Sequence, residues 1–221
     1  MTNDKVTLFF LKQRVAIIRT FVYVFYFVGL VGMLVPELFS IFVLLIPAAL
    51  ILSFVVLLAF HSDKFDLKTL YVFLIIFFLS ITIETIGVKT GKIFGNYTYD
   101  YSLGFMIFET PVIIGLNWFI LVYISSSVFE KIKIHVISKV LLASSLMLLY
   151  DIVLEKVAPK LYMWHFEGYN VPIQNYLAWF VISIVLHSLI KIVGISTQNK
   201  LAFTILIAQF LFFFILAAYL K

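Results

Sequence analysis

Cysteine is missing from this chain of 221 residues, and charged residues are scarce. Without cysteine there can be no disulfide, no thiolate nucleophile and no cysteine-ligated metal. Charged residues make up 12% of the chain, whereas hydrophobic residues make up 64% and the mean hydropathy is +1.15. So few charges could not cover the surface of a soluble domain, and the composition therefore indicates an integral membrane protein.

Seven apolar runs are each long enough to cross a hydrocarbon layer of about 30 Å as a helix. The predicted spans are residues 15–35, 38–60, 67–88, 111–129, 136–158, 172–193 and 201–220. The runs lack the alternation that is typical of barrel strands. We therefore expect an all-α integral membrane protein, a bundle of about seven transmembrane helices. No repeat or linker divides residues 1–221, which we interpret as a single polytopic domain.

The basic residues predict the orientation of this bundle in a cell membrane. The first run offers no small-residue cleavage site, so we expect it to stay as an anchor and not to be removed as a signal peptide. Eleven of the 16 Lys and Arg residues fall on the side of the amino terminus, and the other five are Lys89, Lys92, Lys156, Lys160 and Lys221. The positive-inside rule then predicts a cytoplasmic amino terminus and a non-cytoplasmic carboxyl terminus. The net charge of +5 includes no basic block, so nucleic acid is not an expected partner.

Four carboxylates lie inside or at the ends of apolar runs, and the order of the runs brings all four toward the non-cytoplasmic side. They are Glu84, Glu109, Asp151 and Glu155. Ionisable groups in a membrane are costly, so they indicate function by default. The two longest connections, residues 89–110 and 159–171, emerge on the same side, and long loops in compact proteins tend to carry function.

Asp151 and Glu155 are four residues apart on the fifth predicted helix, with Ser144 two turns earlier on nearly the same line. Two like charges at this spacing repel each other in a poorly hydrated site, so we expect one carboxyl group to keep a proton or to share a hydrogen bond. Such a group can act as a proton donor near neutral pH. The structural alternative is a pair that only fixes the helix to a donor on a neighbour.

The first long connection and the helix before it carry several local signals. Ser80, Glu84, Gly87 and Gly91 form one small and polar stripe if the helix persists, as expected where helices pack or line a cavity. Thr110 followed by Pro111 is typical of an N-cap and a first helical residue. Residues 103–108 predict an interfacial or re-entrant apolar patch.

Aromatic and amide side chains accompany the second long connection. Trp164 is typical of the aromatic belt at a membrane interface. Asn175 and Trp179 share one face of the sixth predicted helix, and the amide of Asn175 needs polar partners in hydrocarbon.

These residues carry a resemblance to a known family. The ordered pattern is Glu84, Gly87, Gly91, Phe94, Gly95, Tyr97 and Tyr99, then Pro111 and Trp118, then Asp151, Glu155, Pro159, Trp164, Tyr169, Pro172, Asn175 and Trp179. It resembles the membrane carotenoid biosynthesis proteins, whose characterised members are carotenoid 1,2-hydratases of the bisanhydrobacterioruberin and gamma-carotene type. The resemblance covers roughly residues 80–180. Glu109 departs from the family pattern, which favours a small residue there, so it is left out of the site.

The resemblance implies a cofactor-independent enzyme that adds water across the terminal 1,2 double bond of an acyclic carotenoid end group. Its catalytic residues would be Glu84, Asp151 and Glu155, with Asp151 as the acid and Glu84 or Glu155 handling the water. Its substrate-binding residues would be Tyr97, Tyr99, Trp118, Trp164, Tyr169, Asn175 and Trp179. Aromatic faces suit the transient cation of such a reaction. The implied partners are a lipophilic polyene and the lipid bilayer, with room for contact with other enzymes of the pathway.

Other functions stay open at this point. A carotenoid end-group cyclase also begins by protonating an alkene, and the residues alone separate it poorly from a hydratase. A seven-helix transporter could use the carboxylates as a proton relay. A prenyltransferase is disfavoured because no paired Asp-rich motif for diphosphate and magnesium occurs. Among the histidines only His165 is near the carboxylates, so we expect no metal requirement.

Overall fold

The computed structural model describes the backbone of residues 3–220 and the side chains of residues 12–220. The charges of Lys5 and Lys221, which enter the predicted orientation, lie outside the described side chains. The helices are α1 (Asn3–Leu34), α2 (Pro36–Leu44), α3 (Ile46–Ala59), α4 (Leu67–Thr90), α5 (Ile113–Phe129), α6 (Val136–Glu155), α7 (Ile173–Val193) and α8 (Ala202–Tyr219). The prediction of an all-α membrane protein is confirmed.

The lengths of the helices divide them into three groups. Five of them, α1, α4, α6, α7 and α8, are long and apolar enough to cross a membrane. Helices α2 and α3 bend by 54° at a break and make a sixth span if they are counted together. The break precedes Pro47, which lacks the N–H that a continuous helix would use there. Helix α5 is apolar but has only 17 residues, so the count of seven spans stays a prediction.

Helix α5 is the centre of the bundle. Every side chain from Asn117 to Ser126 is buried, and the helix packs against α3, α4, α6 and α8. Its sequence is apolar on all sides, as expected for a helix that is surrounded by others. Large apolar side chains on the outer helices point away from the bundle, such as Phe27 and Ile192, which are 64% and 84% exposed.

Four short strands, which the sequence did not predict, interrupt the two long connections. They are β1 (Tyr97–Tyr99), β2 (Met106–Ile107), β3 (Thr110–Pro111) and β4 (Trp164–Phe166). Strands β1 and β4 pair antiparallel, as do β2 and β3. Both pairs lie where α4 ends, α5 begins, α6 ends and α7 begins, which we call the site end of the bundle.

Two local expectations differ from the structure. Thr110 and Pro111 were expected to start a helix, but this is wrong, because they form β3 opposite Met106 and Ile107 and the helix begins only at Ile113. Helix α6 ends at Glu155, before the predicted end at residue 158. Of the apolar patch at residues 103–108, Leu103 is buried whereas Phe105 and Phe108 are 75% and 69% exposed.

Candidate active site

Strands β1 and β4 form a small cover over the ends of the helices at the site end. Tyr97 lies opposite Phe166, and Tyr99 lies opposite Trp164. Because successive side chains of a strand point to opposite faces, these four rings share the inner face. All but Tyr99, which is partly exposed, are buried. Trp164 contacts Tyr99 edge to face at 6.0 Å.

Glu84 of α4 receives hydrogen bonds from three aromatic side chains. The hydroxyls of Tyr97 and Tyr99 donate to its Oε2 at 2.5 Å and 2.8 Å. The indole Nε1 of Trp118 on α5 donates to Oε1 at 2.7 Å. Both oxygens of Glu84 therefore accept hydrogen bonds from neutral donors. The side chain is also shielded from solvent, because Glu84 is only 3% exposed.

Asp151 and Glu155 of α6 are joined by one amide group on α7. Nδ2 of Asn175 donates to Oδ2 of Asp151 at 3.3 Å and to Oε1 of Glu155 at 3.0 Å. The indole of Trp164 donates to the other oxygen of Glu155 at 3.0 Å. Oδ1 of Asp151 is buried and has no hydrogen-bond partner among the described residues. The expectation that the amide of Asn175 finds polar partners is confirmed by these contacts.

A small space lies between the two groups of carboxylates. Its walls include Glu84 and Glu155, and the other side chains around it are those of Phe94, Tyr97, Tyr99, Ile114, Trp164, Phe166, Asn175 and Trp179. The volume open to the centre of a water molecule is about 10 Å³, roughly what one water molecule needs. Trp179 stacks on Trp118 with ring centres 4.1 Å apart. Asp151 lies behind this wall and is completely buried.

The electrostatics of the site are unusual because the three carboxyl groups have no cationic partner. Among the side chains of residues 12–220, no Lys, Arg or His nitrogen lies within 4.0 Å of Glu84, Asp151 or Glu155. Burial, and after it the charge of Glu84, raises the pKa of Tyr97 and of Tyr99 above the ordinary tyrosine value. Both hydroxyls therefore stay protonated and continue to act as donors.

The structure gathers most of the predicted site residues. Glu84, Asp151 and Glu155 meet Tyr97, Tyr99, Trp118, Trp164, Asn175 and Trp179 in one cluster. Tyr169 is outside the cluster, 75% exposed and stacked on His165. Glu109 is also exposed, in a turn where its φ is 66°.

Three wall residues were not predicted as part of the site, namely Phe94, Ile114 and Phe166. Phe94 belongs to the pattern that carries the family resemblance, which is a signal that could have identified it. Phe166 alternates with Trp164 along β4, but a strand of three residues leaves too short a pattern to recognise.

A metal centre has no evident place in the described part of the chain. Within it, no three histidine, aspartate or glutamate side chains are arranged to hold a metal ion. The expected independence from metals stays a prediction.

Comparison with known proteins supports the resemblance. The sequence profile described as carotenoid biosynthesis protein matches residues 39–221, more than four-fifths of the chain. No match was found among curated proteins or among solved structures. The matched region contains every residue of the cluster described above. On this match, the chain belongs to the carotenoid biosynthesis protein family.

Proposed function

We propose that this protein is a carotenoid 1,2-hydratase, which adds water across the terminal double bond of an acyclic carotenoid end group. The observation that carries the proposal is a small space with aromatic walls and room for about one water molecule, which lies between the carboxyl groups of Glu84 and Glu155. Glu155 is in turn joined to the buried Asp151 through Asn175. Family membership supports a role in carotenoid biosynthesis and a lipophilic substrate in a membrane.

The reaction needs a proton donor and a group that handles water. A proton is transferred to C2 of the alkene, which leaves a tertiary cation at C1. The oxygen of a water molecule then bonds to C1, and one proton of that water passes to a carboxylate. The sum is the addition of one water molecule, and transfer of a proton between the carboxyl groups restores the starting state.

The hydrogen bonds favour one division of these roles. Both oxygens of Glu84 and both oxygens of Glu155 accept hydrogen bonds, which suits ionised carboxylates. Asp151 accepts at Oδ2 only, and its unpartnered Oδ1 suits the member that holds a proton. We treat Asp151 and Glu155, linked by Asn175, as one acid with a single shared proton.

Glu84 then handles the water. Its three donors favour the ionised form, and as a carboxylate it would accept a proton from the attacking water molecule. Aromatic faces around the space, above all those of Trp164 and Trp179, can stabilise the transient cation. They also exclude further water, which would otherwise solvate the acid.

Expression of the chain together with enzymes that make lycopene tests this proposal. Mass analysis of the pigment should show the gain of one water molecule for each modified end. An isomeric product of unchanged mass would indicate a cyclase instead. An unchanged pigment would contradict an end-group enzyme and favour a transporter. The double variant Asp151→Asn and Glu84→Gln, checked for insertion into membranes, is the inactive control.

A further inference from the structure

The site as it stands has no room for the substrate of the proposed reaction. The space between Glu84 and Glu155 suits about one water molecule, whereas an isoprenoid end group with two methyl groups on its alkene is several times larger. The end group therefore reaches the carboxylates only if part of the wall moves. This step rests on the proposed function, because it takes its substrate class from there.

Most wall residues are held in place by specific contacts. Hydrogen bonds tie Tyr97 and Tyr99 to Glu84 and tie Trp164 to Glu155. Phe166 lies on β4, whose backbone pairs with β1. Trp179 stacks on Trp118, and Ile114 belongs to the buried central helix. Moving Tyr97, Tyr99 or Trp164 would break a hydrogen bond to a carboxylate. Moving Trp179 would remove the ring that stacks on the indole donor of Glu84.

Phe94 is different, because it lies on the irregular connection between α4 and β1. Glycines with positive φ stand before and next to it, Gly91 at 63° and Gly95 at 97°. Such residues allow backbone conformations that other residues resist. The ring is 1% exposed and packs edge to face on Tyr97, with ring centres 5.9 Å apart. This contact is apolar, so the ring loses no hydrogen bond to a carboxylate when it moves.

The surroundings of Phe94 indicate where the opening would lie. Its ring packs on Gly87 of α4, where a Cβ atom would be only 2.5 Å from a ring carbon. A Cβ atom on Gly95 would similarly be 2.6 Å from the ring of Pro172, next to the start of α7. Gln174 at the start of α7 also contacts this segment, because its Nε2 donates to the backbone carbonyl of Lys92 at 2.5 Å. Residues 91–95, which we call the Phe94 segment, therefore fill the gap between the carboxyl end of α4 and the start of α7.

We infer that Phe94 is a movable wall that determines which end groups enter the site. Its ring occupies the place of the isoprenoid end group, and its outward movement opens a path between α4 and α7. The polyene chain would then extend into the bilayer while its end group faces Glu84 and Glu155. Phe94 is thus a specificity-determining residue and not a member of the proton-transfer machinery.

Intrinsic fluorescence can report on entry without any chemistry. The three tryptophans of the chain are Trp118, Trp164 and Trp179, and all of them belong to the site. Quenching of their emission by lycopene, added to the full-length protein in lipid nanodiscs, therefore measures the arrival of the polyene end group.

A reversible disulfide between the Phe94 segment and α7, which we call the lock, tests the movement. The chain contains no cysteine of its own, so no other disulfide can form within it. The double variant Lys92→Cys and Gln174→Cys joins the Phe94 segment to α7 when oxidised, with disulfide formation checked by mass. We expect quenching to slow at least tenfold after oxidation and to recover on reduction. The matched control is Thr98→Cys with His165→Cys, which links β1 to β4 on the outer face, where these residues are paired. The control should quench at the same rate in both redox states.

Several outcomes would overturn the inference. One is that lycopene quenches the oxidised and the reduced Lys92→Cys and Gln174→Cys variant at the same rate. Another is that oxidation slows quenching only in the β1–β4 control, and a third is that no variant is quenched in either redox state. A second variant, Phe94→Leu, has a smaller side chain in the wall. Its tryptophan emission should be quenched by lycopene faster than that of the unmodified protein, and it should accept bulkier end groups. An unchanged quenching rate and an unchanged choice of end groups would also contradict the inference. Hydration is measured separately by pigment mass. A lock that controls quenching in a protein that adds no water would preserve this inference and contradict the proposed function.

Discussion

Two acidic regions at opposite ends of the bundle, one buried and one partly buried, differ in how their charge is balanced. At the site end, Glu84, Asp151 and Glu155 have only neutral donors. At the other end, where α5 finishes, Glu130 forms an ion pair with Lys191 and also accepts a hydrogen bond from the hydroxyl of Thr197 at 2.9 Å. The side chains of Glu130 and Lys191 are 16% and 13% exposed. A carboxylate beside a lysine is compensated and can fix helices together, whereas uncompensated carboxyl groups remain able to exchange protons.

Replacing Glu84 should have the largest effect on activity. Glu84→Gln keeps the size of the side chain but removes the carboxylate that accepts a proton from water, so hydration should fall about 1000-fold, within the range of general acid-base catalysis. Pigment mass in membranes that contain equal amounts of protein measures the loss. The control is Glu130→Gln, which should keep more than half of the activity. A Glu84→Gln protein within threefold of the original would contradict the proposed role.

The pair on α6 should behave as one unit. Asp151→Asn and Glu155→Gln should each lower hydration about 100-fold, because either change removes the shared proton donor. Since groups that act together are not additive, the double variant should be hardly slower than the worse single one. If the fold-loss of the double variant equalled the product of the two single losses, the carboxyl groups would act independently.

Breaking the compensated pair should cost stability and not activity. Lys191→Met leaves the partly buried Glu130 without its cation, which should lower the free energy of unfolding by about 2 kcal/mol. This is less than the loss expected for a fully buried pair, because both side chains are partly exposed. Thermal unfolding in detergent measures this loss. The double variant Lys191→Met with Glu130→Gln should recover part of it. If Lys191→Met lost hydratase activity while its stability was unchanged, the assignment of stability to one end of the bundle and of catalysis to the other would be wrong.

The smallest effect is expected for the hydrogen bond between His165 and Asp100 on the outer face of the cover. His165 and Asp100 are 3.0 Å apart, with side chains 35% and 27% exposed. Exposed pairs contribute at most about 1 kcal/mol. Asp100→Asn should therefore shift the unfolding temperature only slightly and leave hydration unchanged. A loss of activity as large as that of Asp151→Asn would mean that the outer face of β1 and β4 takes part in the site.

Part of the site could be predicted because it depends on helical periodicity and membrane cost. Asp151 and Glu155 share a face at any register of a helix, and acidic groups in apolar runs stand out against their surroundings. The pairing of β1 with β4 could not be predicted in this way. Tyr97 and Phe166 are far apart in sequence, and three-residue strands carry too little alternation to be recognised. The same limit explains why Thr110 was wrongly expected to cap a helix, since a suitable local motif was overridden by pairing with Ile107.

The amino-acid sequence by itself determined that this chain resides in a membrane as a helical bundle and that three carboxylates of its apolar runs, Glu84, Asp151 and Glu155, lie toward one end. These properties follow from hydropathy and from the spacing of residues along helices. Only the tertiary structure decided which donors each carboxyl group receives, that Tyr169 and Glu109 lie outside the cluster, and that Phe94 lies in the wall of the space beside it. Those features depend on contacts between segments distant in sequence, whose geometry is set by the packing of the whole bundle.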